Sequence, residues 1–167
     1  KQLNKYFVLG LFFSFLGDLL LLGTGEVYFI FGLLFFLIAH VFYIIMVLRL
    51  IPARKPKNFI MASVPFLLLF LILMNILFAG LGSMKIPVII YAMTISFFGI
   101  VSLLLYLETK TKISLILLVG VLLFISSDTI LALNLFYKTQ SFYPLLIMMS
   151  YVLAQYLICR FVLKLNE

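Results

Sequence analysis

VYFIFGLLFFLIAHVFYIIMVLR, residues 27–49, carries no charged side chain until Arg49 and one imidazole, His40. A helix rises 1.5 Å per residue, so crossing ~30 Å of hydrocarbon takes about 20 apolar residues, and this run is long enough. In lipid every backbone N–H and C=O must be bonded within the protein, so only helices or a closed barrel can span. A barrel strand would alternate in polarity over about ten residues. This stretch is apolar all round and is read as a transmembrane helix.

Working outward, the same pattern recurs before and after it. The sequence predicts six spans, at 5–23, 27–49, 59–79, 87–107, 113–135 and 143–164. The connections carry turn chemistry: Gly23 to Glu26, Pro52 to Asn58, Gly80 to Ser83, and Glu108 to Lys112. Pro87 and Pro144 stand at helix starts, where a missing N–H costs nothing. Only 10% of the 167 residues are charged and 66% are hydrophobic, too few charges to cover a soluble domain of this size. The predicted fold is all-α, a single polytopic transmembrane bundle over 1–167.

The net charge of +7 would suggest nucleic acid in a soluble protein. Here the basic residues sit between apolar runs and act as topology signals. Lys1, Lys5, Arg49, Arg54, Lys55, Lys57, Lys110, Lys112, Arg160 and Lys164 fall on one side, ten against Lys85 and Lys138 on the other. That bias places both ends of the chain in the cytoplasm, in a multi-pass protein of a bacterial inner membrane, and no nucleic-acid partner is expected. The first residue is Lys1 rather than Met, which suggests that the chain begins inside a longer protein, and no signal-peptide pattern is present. A single cysteine, Cys159, excludes an internal disulfide and a Cys-based zinc site.

Asp18 and Asp128 stand out because they are the only acidic residues deep in apolar runs. A mid-membrane aspartate costs about 2.5–3.5 kcal/mol on insertion scales and is usually retained for function. The competing reading is a structural carboxyl bonded to a neighbouring helix. With the orientation above, both lie toward the outer half, as do Asn75 and Tyr91; Tyr151 is near the centre, and His40 and Gln155 are slightly inside it. A pocket is expected in this middle-to-outer layer.

The contexts of the two aspartates also match. Residues 10–21, GLFFSFLGDLLL, align without gaps on 120–131, GVLLFISSDTIL, and Ala39-His40 resembles Ala154-Gln155. An internal repeat accounts for this, and so does chance similarity in Leu/Phe-rich text. His40 shares a helix face with Tyr43, Ser14 lies one turn before Asp18, and Tyr151 one turn before Gln155. Each of these groups has two readings, a site residue or an interhelical hydrogen bond. One histidine rules out a polyhistidine zinc site but not a mixed Asp/His one. Met148 and Met149 are read as packing or lipid contact.

Five blocks in order resemble the YhhN family of lysoplasmalogenase-like membrane proteins. Residues 10–18 are similar to its G-L-x-F-S-x-x-G-D block. Gly32, Phe36, Ala39, His40 and Tyr43 resemble G-x-x-x-F-x-x-A-H-x-x-Y, and Pro87, Val88 and Tyr91 resemble P-V-x-x-Y. Phe124, Ser127, Asp128, Ala132, Asn134 and Phe136 resemble F-x-x-S-D-x-x-x-A-x-N-x-F, and Tyr151, Ala154 and Gln155 match Y-x-x-A-Q. The family usually has about eight helices, two of them ahead of the first block, so the resemblance leads one to expect either further helices upstream or a shortened member of the family.

The resemblance implies hydrolysis of the vinyl ether of a lysoplasmalogen, a lysophospholipid, to a fatty aldehyde and a glycerophospho-choline or -ethanolamine, with no cofactor and no metal. The chemistry suits two carboxyls. Protonating the β-carbon of a vinyl ether makes an oxocarbenium ion, water adds, and the hemiacetal collapses. This needs one neutral acid and one carboxylate, a division of labour also used by glycosidases. Asp18 and Asp128 are the expected pair, with Ser14, His40, Tyr43, Tyr91, Ser127, Asn134, Tyr151 and Gln155 orienting water or holding the lipid. The alternative is a transporter or lipid-binding protein using the aspartates as proton or cation sites, with Pro65 and Gly99 the only broken-helix candidates. A metal-dependent amidase or esterase built on Asp18, His40 and Asp128 is a third reading.

Overall fold

The computed structural model describes residues 4–52 and 55–165. Six α-helices follow one another: α1 Lys5–Leu21, α2 Glu26–Leu48, α3 Pro56–Leu77, α4 Lys85–Thr109, α5 Lys112–Phe136 and α6 Tyr143–Leu165, with a 3₁₀ turn at Gly82–Met84. No strand occurs among the described residues. Five of the helices are long and apolar enough to cross a membrane. The 17 residues of α1 cover about 25 Å at 1.5 Å each, at the short end of the range for a span. Of the basic residues counted above, Lys1 and Arg54 lie outside the described residues.

The predicted boundaries need correcting at the starts of α3 and α4 and, by two residues each, at the ends of α1, α3 and α4. α3 begins at Pro56 rather than 59, because proline is well suited to the first helical position. α4 begins at Lys85, so Pro87 lies inside its first turn. Local chemistry caps the helices. The Asn4 side chain accepts from the Tyr6 N–H at 3.0 Å, and Thr111 Oγ1 accepts from the Ser114 N–H at 3.1 Å. Lys110 closes α4 in the left-handed region at φ 50°, its N–H donating to the Tyr106 carbonyl at 2.7 Å. α3 and α4 run unbroken through Pro65 and Gly99. Gly99 instead receives the ring of Phe66, marking a close α3–α4 contact, while Pro65 beside it is exposed.

Helices α1 and α2 pack tightly, and so do α5 and α6; α4 lies between the pairs, and α3 packs mainly on α4. Small residues let the paired backbones approach. Gly10 lies against the Tyr43 ring and Gly17 against the Phe36 ring. In the second pair, Gly120 meets Ile158 and the Ala154 carbonyl, and Ser127 Oγ donates to the Ile147 carbonyl at 3.0 Å. With Ala39 placed on Ala154, Tyr43 corresponds to Ile158, so Gly10 and Gly120 make corresponding contacts. This geometry favours the internal-repeat reading over chance. Both pairs begin with an odd-numbered helix and run the same way, as parallel repeats do.

The exposed surface is largely apolar. Phe12, Leu34, Leu68, Leu71, Met93, Val119 and Val152 are among the exposed large side chains, as lipid contact requires. Asn75 is exposed on α3, so it does not belong with the inward-facing polar groups.

Candidate active site

One cavity of about 550 Å³ occupies the half of the bundle where α1 and α5 end and α2, α4 and α6 begin. Lys85, which starts α4, and Lys138, just past α5, are the basic residues at this end. Five polar side chains reach the cavity: Asp18, Tyr91, Ser127, Asp128 and Tyr151. They come from α1, α4, α5 and α6, all several residues in from the helix ends. Beyond them, toward the ends, the wall is apolar, with Leu22, Phe29, Leu135 and Phe136. Asp128 and Phe136 both line it, and eight residues of helix separate them by about 12 Å. The cavity is thus a greasy slot with a polar floor. Phe15 and Leu19 of α1 and Met148 of α6 line it and are each about half exposed, on a flank where α1 packs along α2 and α6 along α5 rather than along one another.

Each aspartate is bonded to one tyrosine from another helix. The Tyr151 hydroxyl donates to Asp18 Oδ2 at 2.7 Å, and the Tyr91 hydroxyl donates to Asp128 Oδ2 in a short contact. These phenols bridge α6 to α1 and α4 to α5. Asp128 and Tyr91 also line a second, much smaller cavity on the α3 side, so they form part of the wall between the two.

Of the remaining predicted residues, Tyr43 and Gln155 lie behind the wall and connect to it. Tyr43 Oη donates to Gln155 Oε1 at 3.0 Å, and Gln155 Nε2 donates to Tyr151 Oη at 3.3 Å. Ser14, His40 and Asn134 do not line the cavity. Ser14 Oγ is buried without a hydrogen-bond partner and does not reach Asp18. Asn134 is half-buried, its Oδ1 likewise unpartnered, while its backbone carbonyl accepts from Thr139.

His40 is fully buried. Its Nδ1–H donates to the Phe36 carbonyl at 2.7 Å, and its ring stands edge-on to Phe124 at 4.7 Å, Tyr91 at 5.5 Å and Phe98 at 5.7 Å. It braces two wall residues, Phe36 and Tyr91, from behind, and substrate in the cavity cannot touch it.

Among the described residues no three His, Cys, Asp or Glu side chains gather to hold a metal ion. His40 is walled off by aromatics, so the Asp18–His40–Asp128 metal reading has no common ligand point. The residues that sequence reasoning missed are most of the apolar wall: Leu33, Leu131, Leu135 and Ile147 among them. In a chain this apolar, an inward leucine and a lipid-facing one look alike. Phe36, Val88, Ala132 and Phe136 carried a signal, their places in the family blocks.

Fold and site together define a class: a polytopic helical membrane protein with two carboxyls on the floor of one largely apolar cavity. The chain belongs to the YhhN family, whose profile matches residues 1–162. Searches among curated proteins and among solved structures gave no match.

Proposed function

We propose that this protein is a hydrolase that cleaves the vinyl ether of a lysoplasmalogen, releasing a fatty aldehyde and a glycerophospho-choline or -ethanolamine. The observation that carries the reading is that Asp18 and Asp128, 110 positions apart in sequence, open onto the same cavity, each held by a tyrosine from a different helix. A volume of about 550 Å³ lies in the range of small-molecule sites, and the apolar wall suits a single alkenyl chain. No lysine or arginine lines the cavity. The phosphate of the headgroup is therefore left outside, while the vinyl ether reaches the carboxyls.

In this reading one aspartic acid protonates the β-carbon of the vinyl ether. The other, as carboxylate, stabilises the oxocarbenium ion and takes a proton from the attacking water. Tyr91 and Tyr151 hold the carboxyls in place, and the packed wall limits water at the reacting carbon. Incubating purified protein with lysoplasmalogen tests this: aldehyde should appear in step with the glycerophospho-base. A folded protein that releases none would leave the transporter reading in its place.

The excess of basic residues on one side argues for both ends of the chain in the cytoplasm and the cavity toward the outer leaflet. In a Cys159→Ser background, cysteines placed at Lys85 or Lys138 should react with an impermeant thiol reagent added to whole cells. A cysteine at Lys55 should react only after the cells are opened. The opposite pattern would turn the protein over and move the cavity to the inner leaflet.

A further inference from the structure

The two aspartates have unequal hydrogen-bonded surroundings. Asp18 ends a chain of three bonds: Tyr43 Oη to Gln155 Oε1 at 3.0 Å, Gln155 Nε2 to Tyr151 Oη at 3.3 Å, and Tyr151 Oη to Asp18 Oδ2 at 2.7 Å. Each bond sets the polarity of the next. Because Tyr43 donates to the amide oxygen, the amide nitrogen faces Tyr151. Tyr151 accepts there, and its one proton goes to Asp18. Donors in series polarise one another, and the last bond is strongest to an ionised acceptor. A proton on Asp18 Oδ2 would make Tyr151 Oη accept from the carboxyl and from Gln155 Nε2 at once and leave the phenol's own proton without its acceptor, unless the Gln155 amide turned over and took the acceptor of the fully buried Tyr43 hydroxyl.

Asp128 stands apart from that chain. It is bonded to Tyr91, and among the described residues no side chain donates to Tyr91 Oη. A neutral Asp128 can give its proton to the Tyr91 oxygen, which accepts from no other described side chain, without disturbing another bond. The other ionisable groups near the two acids are Tyr43 and His40 of α2, Tyr91 of α4 and Tyr151 of α6; no Lys, Arg or Glu lines the cavity.

We propose that Asp18 is the resident carboxylate and Asp128 the resident carboxylic acid, and that Gln155 and Tyr43 are positioning residues that impose this division through Tyr151. The protonation states stand on the hydrogen bonds; the catalytic roles that follow rest on the hydrolase reading. Asp128 gives its proton to the β-carbon, whose π electrons form the new C–H bond and leave the oxocarbenium ion. Water adds to the α-carbon and loses a proton to Asp18. In the collapse, Asp18 returns that proton to the departing glycerol oxygen, and Asp128 takes the hemiacetal hydroxyl proton as the carbonyl forms. One water is consumed, and both acids are back in their starting states.

Asp18 and Asp128 are the only aspartates in the sequence, so protein labelled with carboxyl-¹³C aspartate reports on these two alone in the infrared. At neutral pH in lipid nanodiscs, the wild type should show one isotope-shifted carbonyl band of a protonated carboxyl. Asp128→Glu should remove it, and Asp18→Glu should keep it. Gln155→Met and Tyr43→Phe should each add a second band, and should slow turnover about ten- to a hundredfold, the range for groups that orient a reacting group without touching substrate. If Asp128→Glu does not fold, Tyr91→Phe serves in its place and should shift the single band.

Loss of the band in Asp18→Glu, its absence from the wild type, or an unchanged spectrum in both relay variants would overturn the assignment. The spectrum is independent of any substrate. A protein with the expected bands that releases no aldehyde keeps the assignment and loses the hydrolase reading; an active hydrolase whose band vanishes in Asp18→Glu does the reverse.

Discussion

Asp18→Asn and Asp128→Asn should each insert, fold and lose between 10² and 10⁴ of the aldehyde-forming rate, the usual contribution of a positioned acid or base. Asparagine keeps the shape of aspartate and most of its hydrogen bonding to Tyr151 or Tyr91, so the loss reports proton transfer and charge rather than packing. Because the two acids work on the same proton cycle, the double variant should be little slower than the slower single one. Losses that multiply would mean that the acids act in independent steps. Losses below about tenfold, in protein that is folded by circular dichroism and size exclusion, would make the carboxyls scaffold.

The second large effect is expected one residue earlier, at a position with no chemistry of its own. Gly17 lies against the ring of Phe36, closer than any side chain at position 17 would allow. Gly17→Val would push α1 away from α2. Overpacking of this kind typically costs about 1–3 kcal/mol, read as a lower unfolding midpoint in detergent. The larger consequence is for the rate. Asp18 follows Gly17 on α1, whereas its partner Tyr151 is on α6, so a displaced α1 carries the carboxylate away from its phenol. A shift of about 1 Å can cost 10²-fold. The fraction that remains folded should therefore be slow, and because Phe36 and α1 also line the cavity its substrate binding should weaken as well. Full turnover in folded Gly17→Val would show that the close α1–α2 contact does not position the acid.

These two residues also show what the sequence made legible. All six helices were legible as apolar runs, five of them long and apolar enough to cross ~30 Å of hydrocarbon, and their boundaries shifted by two or three residues at several ends. Asp18 and Asp128 were visible because a buried charge is rare in such text. Tyr91 and Tyr151 were visible mainly through the family blocks, since their partners lie on other helices, and periodicity along one helix says nothing about contacts between helices. His40 drew attention as the sole imidazole, yet its Nδ1 is bonded to the Phe36 carbonyl and its ring is enclosed by aromatics. A type of side chain suggests chemistry; only packing decides whether substrate can reach it. The apolar cavity wall was illegible for the converse reason, that leucine facing a pocket and leucine facing lipid have the same composition. The polarity of the Tyr43–Gln155–Tyr151–Asp18 chain likewise exists only in three dimensions, because its links join α2, α6 and α1.

The central claim is that a carboxylic acid in the cavity transfers a solvent-exchangeable proton to the β-carbon of a vinyl ether. Running purified protein with lysoplasmalogen in D₂O, and trapping the aldehyde as it forms, tests this directly. The account predicts one deuterium at carbon 2 of the trapped aldehyde, absent when Asp128→Asn suppresses turnover. Aldehyde released by the wild type with no deuterium at carbon 2 would contradict it, because the bond would then have been broken without protonating the double bond.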